Sequence, residues 1–183
     1  MTGRREDGLS ESVLVVMAGV SKKAWMGAVL LVLAVAAGWM LTRPYIFGQT
    51  RDGFLFIQRA EPGMPITWKY RHSIMKTMVW EYLEVNPTAD GILATSTKYQ
   101  SYGAGLPSLT SQGKFHQEGD WFILDDVNRN FPSLSIRNGV INNSTLTVGD
   151  KDYHLPDLMP LGSELHMYVA PLYEGYFLKK EMK

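Results

Sequence analysis

Ile66 to His72 reads "ITWKYRH", and its alternation decides the fold. Trp68, Tyr70 and His72 fall on one side of an extended chain, and Lys69, Arg71 and Ser73 on the other. The same period recurs from Phe54 onward in "FLFIQR", "VWEYLEVN", "ILATSTKYQS", "KFHQ", "DWFILDD", "SLSIR", "VINNSTLTV", "KDYHL" and "ELHMYV". Each run is short and rich in β-branched or aromatic residues. Turn chemistry separates them at Asn86-Pro87, Asp90-Gly91, Glu118-Gly119-Asp120, Asn138-Gly139 and Gly149-Asp150. Asn138-Gly139 predicts a type I′ hairpin turn, because both residues take positive φ readily. About ten strands without a long amphipathic helix predict an all-β domain, an antiparallel β-sandwich or barrel-like. In such a domain Trp68 and Tyr70 are expected to pack against the facing sheet. The final "EGYFLKKEMK" fits either a closing strand or a basic tail.

One segment departs from this pattern. Ala24 to Leu41, "AWMGAVLLVLAVAAGWML", carries no charge over 18 residues and lies between Lys22-Lys23 and Arg43. With its flanks it reaches the roughly 20 residues that a membrane-spanning helix needs. Trp25 and Trp39 near its ends suit the membrane–water boundary. Ala34-Val35-Ala36 offers the small residues of a signal-peptide cleavage site, but the apolar run continues through Leu41, which favours a retained anchor. Arg4, Arg5, Lys22 and Lys23 precede the span and only Arg43 and Arg51 follow closely, so the N-terminal arm is expected in the cytoplasm and the rest outside. The expected organisation is therefore an arm (1–23), an anchor (24–43), a linker opened by Pro44 (44–53) and an all-β extracytoplasmic domain (54–183). From Tyr45 onward the chain holds 13 basic and 15 acidic side chains. That near-neutral balance, without a basic stripe, points away from nucleic acid. The chain has no cysteine, which excludes disulfides, thiolate metal sites and cysteine nucleophiles.

Few residues offer chemistry. His72 and Glu81 stand on successive strands, and a short connection between them predicts that they approach across the ladder. A carboxylate beside an imidazole suits a proton relay, a ligand contact or a structural bond. Ser73 next to His72 invites a hydrolase reading, but neighbours on a strand point to opposite faces. His72, His116, His154 and His166 lack metal-ligand spacing, and Asp125-Asp126 with Asn128 and Asn130 lacks the pattern of a calcium loop. Tyr99 to Ser108, "YQSYGAGLPS", has a glycine–alanine–glycine step. Leu106-Pro107 follows Gly105 in place of a third glycine, a lysine or a helix start, so no nucleotide cofactor is implied. The glycines permit a tight strand exit, and successive amides there can receive an anion.

"YRHS", Glu81 in "VWEYLEV" and "YQSYGAGLP" together resemble an uncharacterised family, domain of unknown function 1850. His72, Ser73, Glu81, Ser101, Gly103, Ala104, Gly105 and Pro107 match its pattern, while Lys76 stands where a more acidic residue is expected. The resemblance implies a small extracytoplasmic domain behind an anchor or signal, often encoded beside TAXI-class TRAP solute transporters. It brings no catalytic activity. The resulting expectation is a membrane-anchored accessory or ligand-binding module. Its partner would be a TRAP-type membrane subunit or solute-binding protein, and its ligand a small anionic solute. His72, Ser73, Glu81, Ser101, Gly103 and Gly105 are its candidate contacts. The alternatives are a hydrolase or metal-assisted enzyme using His72 and Glu81, and a purely structural envelope protein.

Overall fold

The computed structural model describes residues 21–100, 113–139 and 143–177, which fall into two units divided after Leu41. In the first unit, helix α1 (Lys22–Thr42) has no buried residue and no polar stripe. Its 21 residues make it long and apolar enough to cross a membrane. A soluble amphipathic helix would hide one face, and α1 has none to hide.

The second unit is an antiparallel β-sandwich. Its strands are β1 (Pro44–Thr50), β2 (Gly53–Arg59), β3 (Pro65–Arg71), β4 (Met78–Val85), β5 (Ile92–Tyr99) and β6 (Lys114–Glu118). They continue as β7 (Trp121–Asp125), β8 (Arg129–Phe131), β9 (Ser133–Arg137), β10 (Thr145–Val148), β11 (Lys151–His154) and β12 (Glu164–Pro171). Two short helices, α2 (Leu155–Leu158) and α3 (Leu172–Phe177), complete it. One sheet has the order β2-β1-β12-β9; the other runs β11-β10-β3-β4-β5-β7-β6, with β8 also paired to β5. The chain changes sheets at Pro132, between β8 and β9.

Alternation drives the packing. Ile46, Phe56, Ile136, Leu165, Met167 and Val169 from the smaller sheet meet Ile66, Leu83, Val85, Ile92, Leu146 and Val148 from the larger one in a shared core. Phe56 stacks on Tyr153 at 4.6 Å, and Gln58 Nε2 donates to the Tyr153 hydroxyl at 2.7 Å, tying β2 to β11 across the sandwich. On the outer side of the smaller sheet, α3 covers Phe47, Tyr168 and Ala170 with Leu172. The outer side of the larger sheet carries cross-strand stacks instead: Lys69 Nζ lies 4.8 Å from the Trp80 ring centre, and Lys98 Nζ 4.7 Å from that of Trp121.

Three local expectations are corrected. Residues 44–50 are no linker but strand β1, whose Ile46 and Phe47 are fully buried; Pro44 breaks the helix and starts a strand in the same step. Asn138-Gly139 turns no hairpin, because β9 pairs with β12. Asn138 is fully buried there, its amide bonded to the Ser163 carbonyl and its side-chain Nδ2 to the Met159 carbonyl at 2.8 Å. Of the final segment 174–183, where a closing strand or tail was expected, Glu174 to Phe177 belong to helix α3 and 178–183 lie outside the described residues. Asn86, Asp90-Gly91, Gly119 and Gly149-Asp150 do lie in turns.

Gly48 allows a close approach in the core: the Phe56 ring lies over it, where a Cβ would collide with the ring. Gly48→Ala is expected to lower stability. Overpacking costs about 1–3 kcal/mol, more than the roughly 0.5–1 kcal/mol gained by leaving glycine. Guanidinium denaturation of the full chain checks this, and an unchanged or raised midpoint would show that the ring yields freely.

Candidate functional site

The site is built by the β3–β4 hairpin. Its closing bond runs from the His72 amide to the Thr77 carbonyl at 2.8 Å, and the Lys76 amide returns to the His72 carbonyl at 2.9 Å. Lys76 takes a positive φ of 59° to complete the loop. His72 Nδ1 accepts from the backbone amides of Ile74 and Met75, both at 3.3 Å, so the imidazole caps its own turn. This places the ring proton on Nε2 when the imidazole is neutral.

That closure fixes the register. Trp68 pairs with Glu81, and Tyr70 with Val79. His72 therefore does not face Glu81: four residues of ladder, about 13 Å at the usual strand rise, separate them. The expected His72–Glu81 approach is corrected by this arithmetic of a four-residue loop.

What Glu81 meets instead is a row of partners on the inner face. It stands opposite Trp68 on one side and Thr97 on the other. Thr97 Oγ1 donates to Glu81 Oε2 at 2.6 Å, and the Tyr70 hydroxyl donates to the same carboxylate. Tyr70 stacks on Trp68 at 4.2 Å with 25° between the rings. Trp68 Nε1 donates to the buried Ser144 Oγ at 2.7 Å, which fixes the indole plane. On β4 Glu81 points inward between Leu83 and Val79, both buried. Trp68, Tyr70 and Glu81 keep part of their surface exposed, while Thr97 and Tyr99 beside them are buried.

Burial dominates the electrostatics. It raises the Glu81 carboxyl above its ordinary value, and the Thr97 and Tyr70 hydroxyls pull only part of the way back. Burial and the adjacent Glu81 also push the Tyr70 phenol well up, so it stays a hydrogen-bond donor across the physiological range. Among the described residues no ion pair involves Glu81. The cluster can hold a proton, accept hydrogen bonds, or receive a cation.

Of the other candidates, His72 and Ser73 separate from it. Ser73 is an exposed turn residue, and His72 Nδ1 is engaged with backbone amides, so the pair makes no nucleophile–base arrangement through that nitrogen. Ser101, Gly103 and Gly105 lie outside the described residues. Ser135 Oγ and His166 Nδ1 are 3.1 Å apart, but on an exposed outer face and not in a pocket. No group of three or more metal-ligating side chains occurs among the described residues. An open cleft of about 740 Å³ lies at Gln58, Arg59, Met64 and Asp150, by the opposite end of β3 from Tyr70. Tyr70 and Thr97 were missed as site residues. Counting the hairpin loop at four residues finds Trp68 opposite Glu81, and period two then brings in Tyr70; the bulge in the β4–β5 pairing at Tyr82/Leu83 hides the partnership with Thr97.

Residues 66–155 match the model of the family described as Domain of unknown function (DUF1850), which identifies this part of the chain with that family. The matched span contains Trp68, Tyr70, Glu81, Thr97 and Ser144. No curated protein and no solved structure matches the chain.

The raised Glu81 has a definite consequence for stability. The folded state holds its proton to higher pH than the unfolded chain, so the contribution is full below about 4.5 and is lost as pH rises through the folded-state titration. Asp90, lowered by the Thr88 and Asn86 side chains, works the other way, contributing above about 3.8 and losing its contribution as pH falls. Glu81→Gln is therefore expected to abolish the decline above pH 4.5 while leaving the acid limb in place. Denaturation midpoints from pH 3 to 8 check this; parallel profiles for wild type and variant would contradict it. His72→Ala is expected to lower stability by about 0.5–1.5 kcal/mol and to leave the Glu81-linked slope unchanged.

Proposed function

We propose that the chain is a membrane-anchored, extracytoplasmic binding module that serves a solute transporter, with its ligand received at Glu81. One observation carries this reading: a partly exposed carboxyl on the inner face, held by two hydroxyl donors and without an ion-pair partner among the described residues. A group of that kind keeps hydrogen-bonding capacity that the fold itself does not use, because a carboxylate offers about four acceptor positions. The described residues supply no nucleophile with a base and no metal cluster beside Glu81, which favours binding over catalysis.

The anchor reading rests on α1 and its flanks. A helix of 21 residues spans about 30 Å at the usual rise, the thickness of a bilayer core. Four basic residues before the span against two soon after it support a cytoplasmic N-terminus. A partner of TRAP type, either the membrane subunit or its solute-binding protein, is the context that the family resemblance implies.

Two measurements test the proposal. The full chain in nanodiscs is expected to bind at least one solute from a panel covering cations, anions and neutral sugars. Glu81→Gln should weaken that binding at least tenfold, and His72→Ala should leave it unchanged. Affinity capture from membranes that also carry a TRAP system should co-purify one of its subunits. A panel without a binder, or binding indifferent to Glu81→Gln, would remove the site and leave the structural reading of the inner face. Release of residues 37–183 into the soluble fraction by cleavage after Ala36, read by intact mass, would remove the anchor.

A further inference from the structure

We infer that the Glu81 site takes an organic cation, with an ammonium group seated between the carboxylate and the Trp68–Tyr70 aromatic pair. This deepens the binding reading above and rests on it. The sign of the ligand follows from what the inner face lacks. Thr97 and Tyr70 satisfy part of the carboxylate, but both are neutral, and no cation joins them among the described residues. A carboxylate withdrawn from water without a countercharge attracts a cation and repels an anion in the reduced local dielectric.

The aromatic pair points the same way. Trp68 and Tyr70 are stacked at 4.2 Å and half-buried, beside the carboxylate on the same face. Indole and phenol faces attract ammonium groups, most strongly when water is partly excluded. The bond from Trp68 Nε1 to Ser144 holds the indole, so the surface is formed before a ligand arrives. The nearby lysines do not fill the place: Lys69 and Lys98 stand on the outer face, over Trp80 and Trp121. The glycine step from which an anion was expected lies outside the described residues.

Binding is also expected to depend on pH. The groups facing Glu81 are Tyr70 and Trp68 from β3 and Thr97 from β5, with Tyr99 next along the same face of β5. Of these only the phenols titrate, and far from neutrality for Tyr70. A cation prefers the ionised carboxylate, so its affinity should rise with pH through the Glu81 titration.

The test uses the full chain in nanodiscs, titrated calorimetrically with butylammonium, tetramethylammonium and acetate at pH 5 and pH 8. Saturable binding of butylammonium is expected, tighter at pH 8 than at pH 5, with acetate silent. Glu81→Gln should weaken butylammonium at least tenfold, and Trp68→Leu should weaken tetramethylammonium more than butylammonium, because the quaternary ion cannot donate a hydrogen bond. Glu81→Asp, expected to keep measurable binding, separates loss of charge from loss of fold, and circular dichroism confirms that each variant is folded. Acetate or a neutral solute binding in a manner sensitive to Glu81→Gln would overturn the cation and leave the binding site standing. Absence of saturable binding by either cation would overturn the inference, and absence of any Glu81-dependent ligand would overturn the underlying reading with it.

Discussion

The closure of the β3–β4 hairpin at His72 and Thr77 is the constraint on which the rest of the site depends. A strand register has only a two-residue freedom in which side chains keep their face, and a slip of one would turn Glu81 outward. The His72 imidazole, accepting two amides of its own loop, makes the four-residue connection a defined one. From that pairing Trp68 stands opposite Glu81, and the core residues Ile66 and Leu83 meet one step further on. The same two strands thus supply the polar cluster and, immediately beside it, the apolar packing. Slippage would expose Ile66 and Leu83 together with burying Lys69, so hydrophobic burial of about 1.5–3 kcal/mol per large side chain protects a register that the polar residues alone would hold weakly.

Two carboxylates in this domain show what burial does. Asp90 accepts from Thr88 Oγ1 at 2.6 Å and from Asn86 Nδ2 at 2.7 Å, and its carboxyl is lowered. Glu81 likewise accepts from two side-chain donors, Thr97 and Tyr70, yet its carboxyl is raised. The two side-chain donors are matched, and the backbone amide at Asp90 adds only its smallest contribution, so donor count does not set the sign. The difference is position: Asp90 is exposed in the β4–β5 turn, and Glu81 points into the sandwich beside Leu83. Neutral hydroxyls stabilise a charge less than the water they replace when the surroundings are apolar. The strain in the Glu81 cluster is therefore a shortage of positive charge rather than a shortage of hydrogen bonds.

The all-β class was legible in the sequence because period-two alternation and turn residues act locally. Trp68 and Tyr70 were read onto one face from spacing alone, and both lie there. Asn138-Gly139 misled because a dipeptide suited to a turn can equally end a strand, and the burial of Asn138 against Met159 depends on residues far along the chain. Pro44 misled in the same way: it reports the end of a helix without saying that Ile46 and Phe47 enter the core two residues later. Glu81 was legible as a candidate, but its partners were not. Thr97 reaches it only through the bulged pairing of β4 with β5, and bulges leave little trace in alternation. His72 was read as chemistry and serves geometry, since an imidazole that caps a turn has the same one-dimensional signature as one that serves a site.

The domain's ends divide its tasks. The Ala60 amide bonds to the Pro44 carbonyl at 3.0 Å, so the turn leading into β3 starts beside the residue where β1 begins. From Pro65 the strand runs to Arg71, roughly 20 Å at the usual rise. The Glu81 cluster sits partway along this course, and the loop carrying exposed Ile74 and Met75 lies at its far end. Because His72 fixes that loop from within, its apolar pair is presented by an ordered turn. An ordered apolar tip costs little conformational entropy when a partner covers it. The inward face of the hairpin thus carries the Glu81 cluster, and its tip carries the exposed Ile74 and Met75 at the end remote from Pro65.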